Sequence, residues 1–350
     1  MVQNSGSSPS LDLNLKKVVV VRSLPGLGDM LCIVPALRSL RSALPDARIT
    51  LIGLGDRRFL AERYNYYIDE YLDFPGFPGI PECSFDPRST LKFLVQAQQQ
   101  EFDLALQMHG NGLHSNSFTL LLGAKLNAGF YLPNHINPSE DGFLPYPEHE
   151  SEIQRYLHLL KFIGIPLQGD YLEFPLRQTD WQGLEALSQF HQIPSKNYVC
   201  LHPGASLNEK RWSTDGFAAV ADALAKQGYA IVLTGTSAEA ELTHHIAHTM
   251  RFPALDLAGK TDLGVLAALV KNARLVICND TGISHLAAAL RTPSVVIFLN
   301  TDPQRWAPLD SQRHSVLVNP PTPDAVICAA IAQTQQEAYE ANHLSSTLCT

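Results

Sequence analysis

Four polar segments carry the groups in this chain that could do chemistry. Each follows an apolar run and leads into a helical pattern. Pro25–Met30 (PGLGDM) brings the carboxylate of Asp29 to a helix start. His202–Trp212 (HPGASLNEKRW) makes a tight turn through Pro203, Gly204, Ala205 and Ser206 before reaching Lys210. Thr234–Glu241 (TGTSAEAE) contains Glu239, and Asn279–His285 (NDTGISH) contains Asp280, Thr281, Gly282 and His285. A carboxylate at the mouth of a sheet can act as a general base. Backbone N–H groups of a polar turn or helix start attract phosphate. Lys210 could offset the charge of a leaving diphosphate, and Glu239 could hydrogen-bond a ribose hydroxyl. Each residue also has an ordinary role open to it. Asp29, Asp280 or Thr281 could cap a helix. Lys210 could be solvated, Glu239 could be a favourable first-turn acid, and His285 could pack in the core. Four such sites, three of them in the second half, describe a nucleotide-diphosphate site better than any one alone.

Other chemistries fit less well. The Gly26–Gly28 pair suggests a dinucleotide fingerprint, but the third glycine position is Leu31. No P-loop and no G-x-S-x-G elbow is present, which argues against a P-loop kinase and an α/β hydrolase. His244 and His245 are adjacent on a predicted helix and so do not share a face. No other spacing of acids, histidines or cysteines suggests a metal, so no metal site is expected.

The elements that position these segments alternate. Lys16–Arg22 (KKVVVVR) reads as a central parallel strand, because it is continuously apolar and β-branched. Met30–Leu44 carries Ile33, Leu37, Leu40 and Leu44 on one helical face, with Pro35 predicted to shorten or kink its first turn. Arg48–Gly53 completes a βαβ unit. Phe102–Met108 reads as a further strand, residues 131–150 as a long loop and Ser151–Ile163 as a helix. The alternation resumes with strands at Tyr198–His202, Tyr229–Thr234, Ala254–Leu257, Leu275–Cys278 and Val295–Phe298. A last helix spans about Asp324–Ala341. This predicts an α/β chain of two doubly wound parallel-sheet domains facing a cleft. The expected divisions are a tail over 1–14, a domain over 15–164, a linker over 165–178, a second domain over 179–320, and a C-terminal helix and tail over 321–350.

The chain has 350 residues, 45% of them apolar and 17% charged, which suits two cores rather than disorder. Its net charge of −8 offers no polyanion-binding surface, so nucleic acid is not an expected partner. Six scattered cysteines without a CxxC pair fit a reducing cytoplasm. Residues 1–14 lack the apolar core of a signal peptide, and no apolar run approaches a membrane span.

Three motifs, GLGDMLCIVPALRSLR, HPGASLNEKRW and NDTGISHLAAALRTPSVVIF, resemble glycosyltransferase family 9, the ADP-heptose:lipopolysaccharide heptosyltransferases and their relatives. The resemblance runs from about Lys17 to Leu309. It implies a GT-B architecture of two Rossmann-like domains, the acceptor mainly in the N-terminal one and the donor in the C-terminal one. It also implies an inverting transfer that needs neither metal nor cofactor. Asp29 matches the base for the acceptor hydroxyl and Lys210 the lysine near the diphosphate. Glu239 matches the glutamate at the ribose, and Asp280, Thr281, Gly282 and His285 match the donor loop. The SLNE stretch before Lys210 departs from some members, which bears on the phosphate role of Ser206. The implied partners are a nucleotide-sugar donor, plausibly ADP-heptose, and a glycan or lipid-linked glycan acceptor. Such an acceptor would place the work at the inner face of the cytoplasmic membrane. Tyr64, Tyr66, Tyr67, Phe74 and Phe77, with Arg57, Arg58 and Arg63, are candidates for peripheral contact there. Two alternatives stay open: a sugar-nucleotide epimerase of GT-B shape, and a non-catalytic protein that binds sugar nucleotides or glycans.

Overall fold

The structure is a computed structural model that describes residues 15–347, with side chains as far as Gln335. The expected tail over 1–14 and Cys349 lie outside the described residues. The chain divides into two compact units, Met1–Asp170 and Tyr171–Thr350.

The first unit is built on six parallel strands: β1 (Lys17–Val21), β2 (Arg48–Gly53), β3 (Glu70–Asp73), β4 (Leu104–Gln107), β5 (Leu126–Tyr131) and β6 (Phe143–Pro145). Their order across the sheet is β3-β2-β1-β4-β5-β6. The second unit has β7 (Tyr198–His202), β8 (Ala230–Leu233), β9 (Ala254–Asp256), β10 (Leu275–Asn279), β11 (Ser294–Phe298) and β12 (His314–Val318), also all parallel. Their order is β12-β11-β10-β7-β8-β9. Counted from the first strand of each unit, both sheets have the order 3-2-1-4-5-6 of a Rossmann-like fold. The order reverses between β1 and β4 in one sheet and between β7 and β10 in the other. Loops at the carboxyl ends of those strands are where such sheets take ligands.

The central strands form because helices cover both faces. Val18–Val21 and Leu275–Cys278 are fully buried, so they read as continuous apolar runs rather than alternating ones. One core of the first unit packs Val19, Val21 and Ile52 against Phe74, Phe102 and Phe118. The second core packs Val199, Leu201 and Ile277 against Phe217, Trp212 and Val326 of the last helix, Pro323–Thr347.

Several local expectations are revised. The helix Leu27–Ala43 runs through Pro35 without ending. Proline removes one backbone N–H bond, but this helix is buried along most of its length, and packing against the helix Glu152–Phe162 outweighs that loss. The region expected as one loop over 131–150 contains β6, a three-residue strand at the sheet edge. A sixth strand in the second sheet, β12, follows β11 where no element was predicted. Of the aromatics considered for membrane contact, Tyr64 and Phe74 are core residues, with Phe74 edge-on to Phe118 at 5.0 Å. Tyr66 is 84% exposed. Among the described residues no helix is long and apolar enough to cross a membrane.

Candidate functional site

The strand-order reversal in the second sheet gathers three of the polar segments. Asn279 ends β10 with its side chain fully buried. Its Oδ1 accepts the Trp212 N–H at 2.9 Å, and its Nδ2 donates to the Pro203 carbonyl at 2.7 Å. One amide thus ties both ends of the loop after β7 to β10. Arg211 closes that loop by donating from Nε and Nη2 to the Ala205 carbonyl, at 3.0 and 2.8 Å. Lys210 sits on a short 3-10 turn, Asn208–Lys210, with its side chain 22% exposed. Its Nζ lies 3.6 Å from Asp280 Oδ2, and the Thr301 hydroxyl donates to the same oxygen at 2.6 Å. Asp280 is therefore the anchor of Lys210 as well as part of the turn.

Thr281 is the N-cap residue of the helix Gly282–Leu290 and makes no side-chain cap. The Ser284 N–H is taken by the Thr281 carbonyl at 2.9 Å, but no side chain of the cap residue takes a first-turn N–H, and that end of the helix carries its positive dipole. His285, one turn in, is buried and edge-on to Trp306 at 5.9 Å.

Glu239, after β8, turns its Oε2 back to accept the Thr236 N–H and hydroxyl, both at 2.8 Å. A Cβ on Gly204 would lie 2.1 Å from Glu239 Oε1, so the carboxylate leans on bare glycine backbone. His202, at the end of β7, is pushed below the usual histidine range by burial, although the charge of Glu239 opposes this. Ser206 is exposed and joins none of these hydrogen bonds.

In the first sheet the reversal is built around Arg22, the residue after β1. Its Nη2 donates to Asp29 Oδ1 at 3.2 Å and its Nε to the Asp29 carbonyl at 3.2 Å. Nη1 reaches the Met108 carbonyl after β4 at 2.9 Å, Glu152 Oε1 at 3.2 Å, and the Tyr156 hydroxyl. Asp29 lies in the first turn of the helix Leu27–Ala43, and its Oδ2 accepts the Gly26 N–H at 3.1 Å. A Cβ on Gly26 would meet that oxygen at 2.4 Å. Asp29 is thus not a solitary carboxylate: both oxygens are held. Beside it, the Ser23 N–H and hydroxyl lie 3.3 and 3.0 Å from His109 Nδ1. Burial, helped by Arg22, lowers His109 to about 4.

Of the residues singled out in the sequence, Lys210 and Asp280 meet directly. Glu239 meets the same loop through Gly204. Asp29 belongs to the other unit. Sequence reasoning missed Thr301, Arg22, Glu152, Tyr156 and His109. Arg22 is a charge closing an apolar strand run, and that was a readable signal. Its pairing with Glu152 spans 130 residues and left none. Among the described residues no group of three or more His, Cys, Asp or Glu is gathered to hold a metal ion.

Two Rossmann-like domains in one chain, each with its polar loops at the strand-order reversal, define the GT-B class of glycosyltransferase architecture. The chain belongs to glycosyltransferase family 9 (heptosyltransferase), whose family model matches residues 90–330, and it is a glycosyltransferase. It is 37% identical over 293 residues to lipopolysaccharide heptosyltransferase 3 of Escherichia coli, covering 80% of this chain and 83% of that protein. Its fold is similar to that of a family 9 glycosyltransferase from Veillonella parvula, with a TM-score of 0.79 at 20% identity over 93% of this chain and 99% of the other. It is also similar to the E. coli ADP-heptose lipopolysaccharide heptosyltransferase II, with a TM-score of 0.73 at 21% identity over 92% and 99%.

Proposed function

We propose that this enzyme transfers heptose from ADP-heptose to a lipopolysaccharide-type acceptor, by a single displacement that inverts the anomeric centre and uses no metal or cofactor. The observation that carries the reading is the Lys210–Asp280 pair together with the start of the Gly282–Leu290 helix, which has no side-chain cap. Similarity to heptosyltransferases named for lipopolysaccharide and ADP-heptose supports the donor and acceptor. A soluble nucleotide-sugar donor fits work in the cytoplasm.

Asp29 takes the proton of the acceptor hydroxyl as that oxygen bonds to the sugar C1. The bond from C1 to the diphosphate oxygen breaks, and the diphosphate leaves with the electron pair. Lys210 and the helix N–H groups near Thr281 and Gly282 receive that growing charge. Fixed donors of this kind are typically worth ~3 kcal/mol each at a transition state. Asp280 holds Lys210 rather than meeting phosphate itself, because a carboxylate against a diphosphate would repel it. Glu239 accepts from a ribose hydroxyl, Ser206 offers its hydroxyl to a phosphate, and His285 backs the donor loop.

The test is turnover with a panel of nucleotide sugars, with the product anomer assigned by NMR. ADP-heptose should be consumed with inversion, and at an unchanged rate in excess EDTA. Retention of configuration, or loss of rate to EDTA, overturns the mechanism. A response to UDP-sugars alone, without an acceptor, would favour an epimerase.

A further inference from the structure

Four charges of the first unit form a row of alternating sign: Asp29, Arg22, Glu152, Arg155. Arg22 lies between Asp29 Oδ1 at 3.2 Å and Glu152 Oε1 at 3.2 Å. Arg155 Nη1 lies 3.1 Å from the other oxygen of Glu152, Oε2. The side chains of Arg22, Glu152 and Arg155 are 2%, 2% and 0% exposed, and that of Asp29 is 18% exposed. The row therefore opens toward solvent at Asp29. Tyr156 ties its middle together, donating to Glu152 Oε1 at 2.7 Å and accepting from Arg22. Arg155 ends it by donating to the carbonyls of Pro147, Glu148 and Glu150 and to the Tyr146 hydroxyl.

We infer that Glu152 and Arg155 are positioning residues for the transfer reaction, and that they set how strongly Arg22 grips Asp29. This rests on the reading of Asp29 as the base. A buried guanidinium with one carboxylate partner concentrates its charge there and makes that carboxylate a poor proton acceptor. Glu152 draws half of the Arg22 fork away from Asp29. Arg155 in turn moderates Glu152. Other titratable groups near Arg22 are Cys32 on the Leu27–Ala43 helix, His109 after β4, with Glu82 Oε2 3.8 Å from its Nε2, and Arg57 and Tyr71, which line a cavity with Arg22; both test substitutions leave all of them in place. Burial, aided by Arg22, keeps His109 neutral at ordinary pH, so it adds no charge to the row.

Alternation makes the inference testable by sign. Removing a negative charge behind Arg22 tightens its grip on Asp29, whereas removing the positive charge behind Glu152 loosens it. Glu152→Gln should move the acid limb of the kcat/KM–pH profile to lower pH and reduce kcat about tenfold at neutral pH, a fraction of the roughly 10²–10⁴ that a general base contributes. Arg155→Met should move that limb to higher pH. KM for the nucleotide sugar should change in neither. A purely structural role would leave the limb in place or move both variants alike, and either result overturns the inference. Should one variant fail to fold, the sign of the other decides. Asp29→Asn is run in parallel: full activity there would overturn the reading of Asp29 as base, an outcome distinct from inactive Asp29→Asn with an unmoved limb in the other two.

Discussion

The two strand-order reversals begin alike and are finished in opposite ways. In each, a glycine after the first strand lets a carboxylate lean on bare backbone: Asp29 against Gly26, and Glu239 against Gly204. Beyond that point they diverge. Behind Asp29 the charges of Arg22, Glu152 and Arg155 are buried and balance one another. Around Asp280 the lysine stays partly exposed, and the helix start goes without a side-chain cap. Internal balance suits a group whose proton affinity must be set. A partly exposed lysine and a helix start without a side-chain cap suit a site that receives negative charge. On the roles proposed above, the difference separates proton removal from leaving-group stabilisation along the chain.

Substitutions can break this contrast, and the largest effect is expected at Asp29. Asp29→Asn keeps an oxygen for the Gly26 N–H, and Arg22 keeps Glu152, so the fold should survive. Turnover should fall by about 10²–10⁴, as for loss of a general base, while nucleotide-sugar binding measured by calorimetry stays close to wild type. Lys210→Ala comes next. It should lower kcat about 10²-fold, as for loss of one charge-stabilising donor, and also weaken donor binding. Turnover and affinity near wild type would mean that the lysine is only solvated.

The paired glycines sharpen the contrast further. Gly204→Ala puts a Cβ 2.1 Å from Glu239 Oε1, and Gly26→Ala puts one 2.4 Å from Asp29 Oδ2. The first should raise donor KM about tenfold, the scale of one charged hydrogen bond, with less effect on kcat. The second should lower kcat with donor KM retained. Steady-state kinetics on both would reveal a swapped pattern if the two reversals have the opposite duties.

The smallest effect is on stability. His109 is lowered to about 4 when folded and returns to its ordinary 6.5 when unfolded. Between those values the unfolded chain binds the extra proton, so folding is weakened as pH falls from 6.5 toward 4. The loss should be about 1 kcal/mol at pH 6 and grow below that. His109→Gln should remove this part of the acid sensitivity, as read by urea denaturation across pH.

Much of this was legible in the sequence, for physical reasons. Val18–Val21 and Leu275–Cys278 announce themselves because strands buried on both faces admit little but apolar, β-branched residues. The Asp280–His285 turn is legible because strand, turn and helix start are contiguous. Pro35 misleads because its local cost is outweighed by burial of the surrounding helix. β6 is three residues long at an edge, too short for periodicity to register. Tyr64 and Phe74 show that aromatic content does not say which way a ring faces. The Arg22–Glu152 pair could not be found by pattern, since only the sheet and its covering helix bring it together.

The strand orders carry a consequence for how such enzymes diversify. Each sheet closes its own 3-2-1-4-5-6 order without borrowing a strand from the other half. A lineage can therefore inherit the two halves as modules and let the loops of one drift while the other is held by selection. If the donor is held by the second half and the acceptor by the first, as proposed, the sugar transferred and the surface it is added to are separately heritable traits. Grafting the Tyr171–Thr350 half of one relative onto the first half of another should exchange the donor and keep the acceptor.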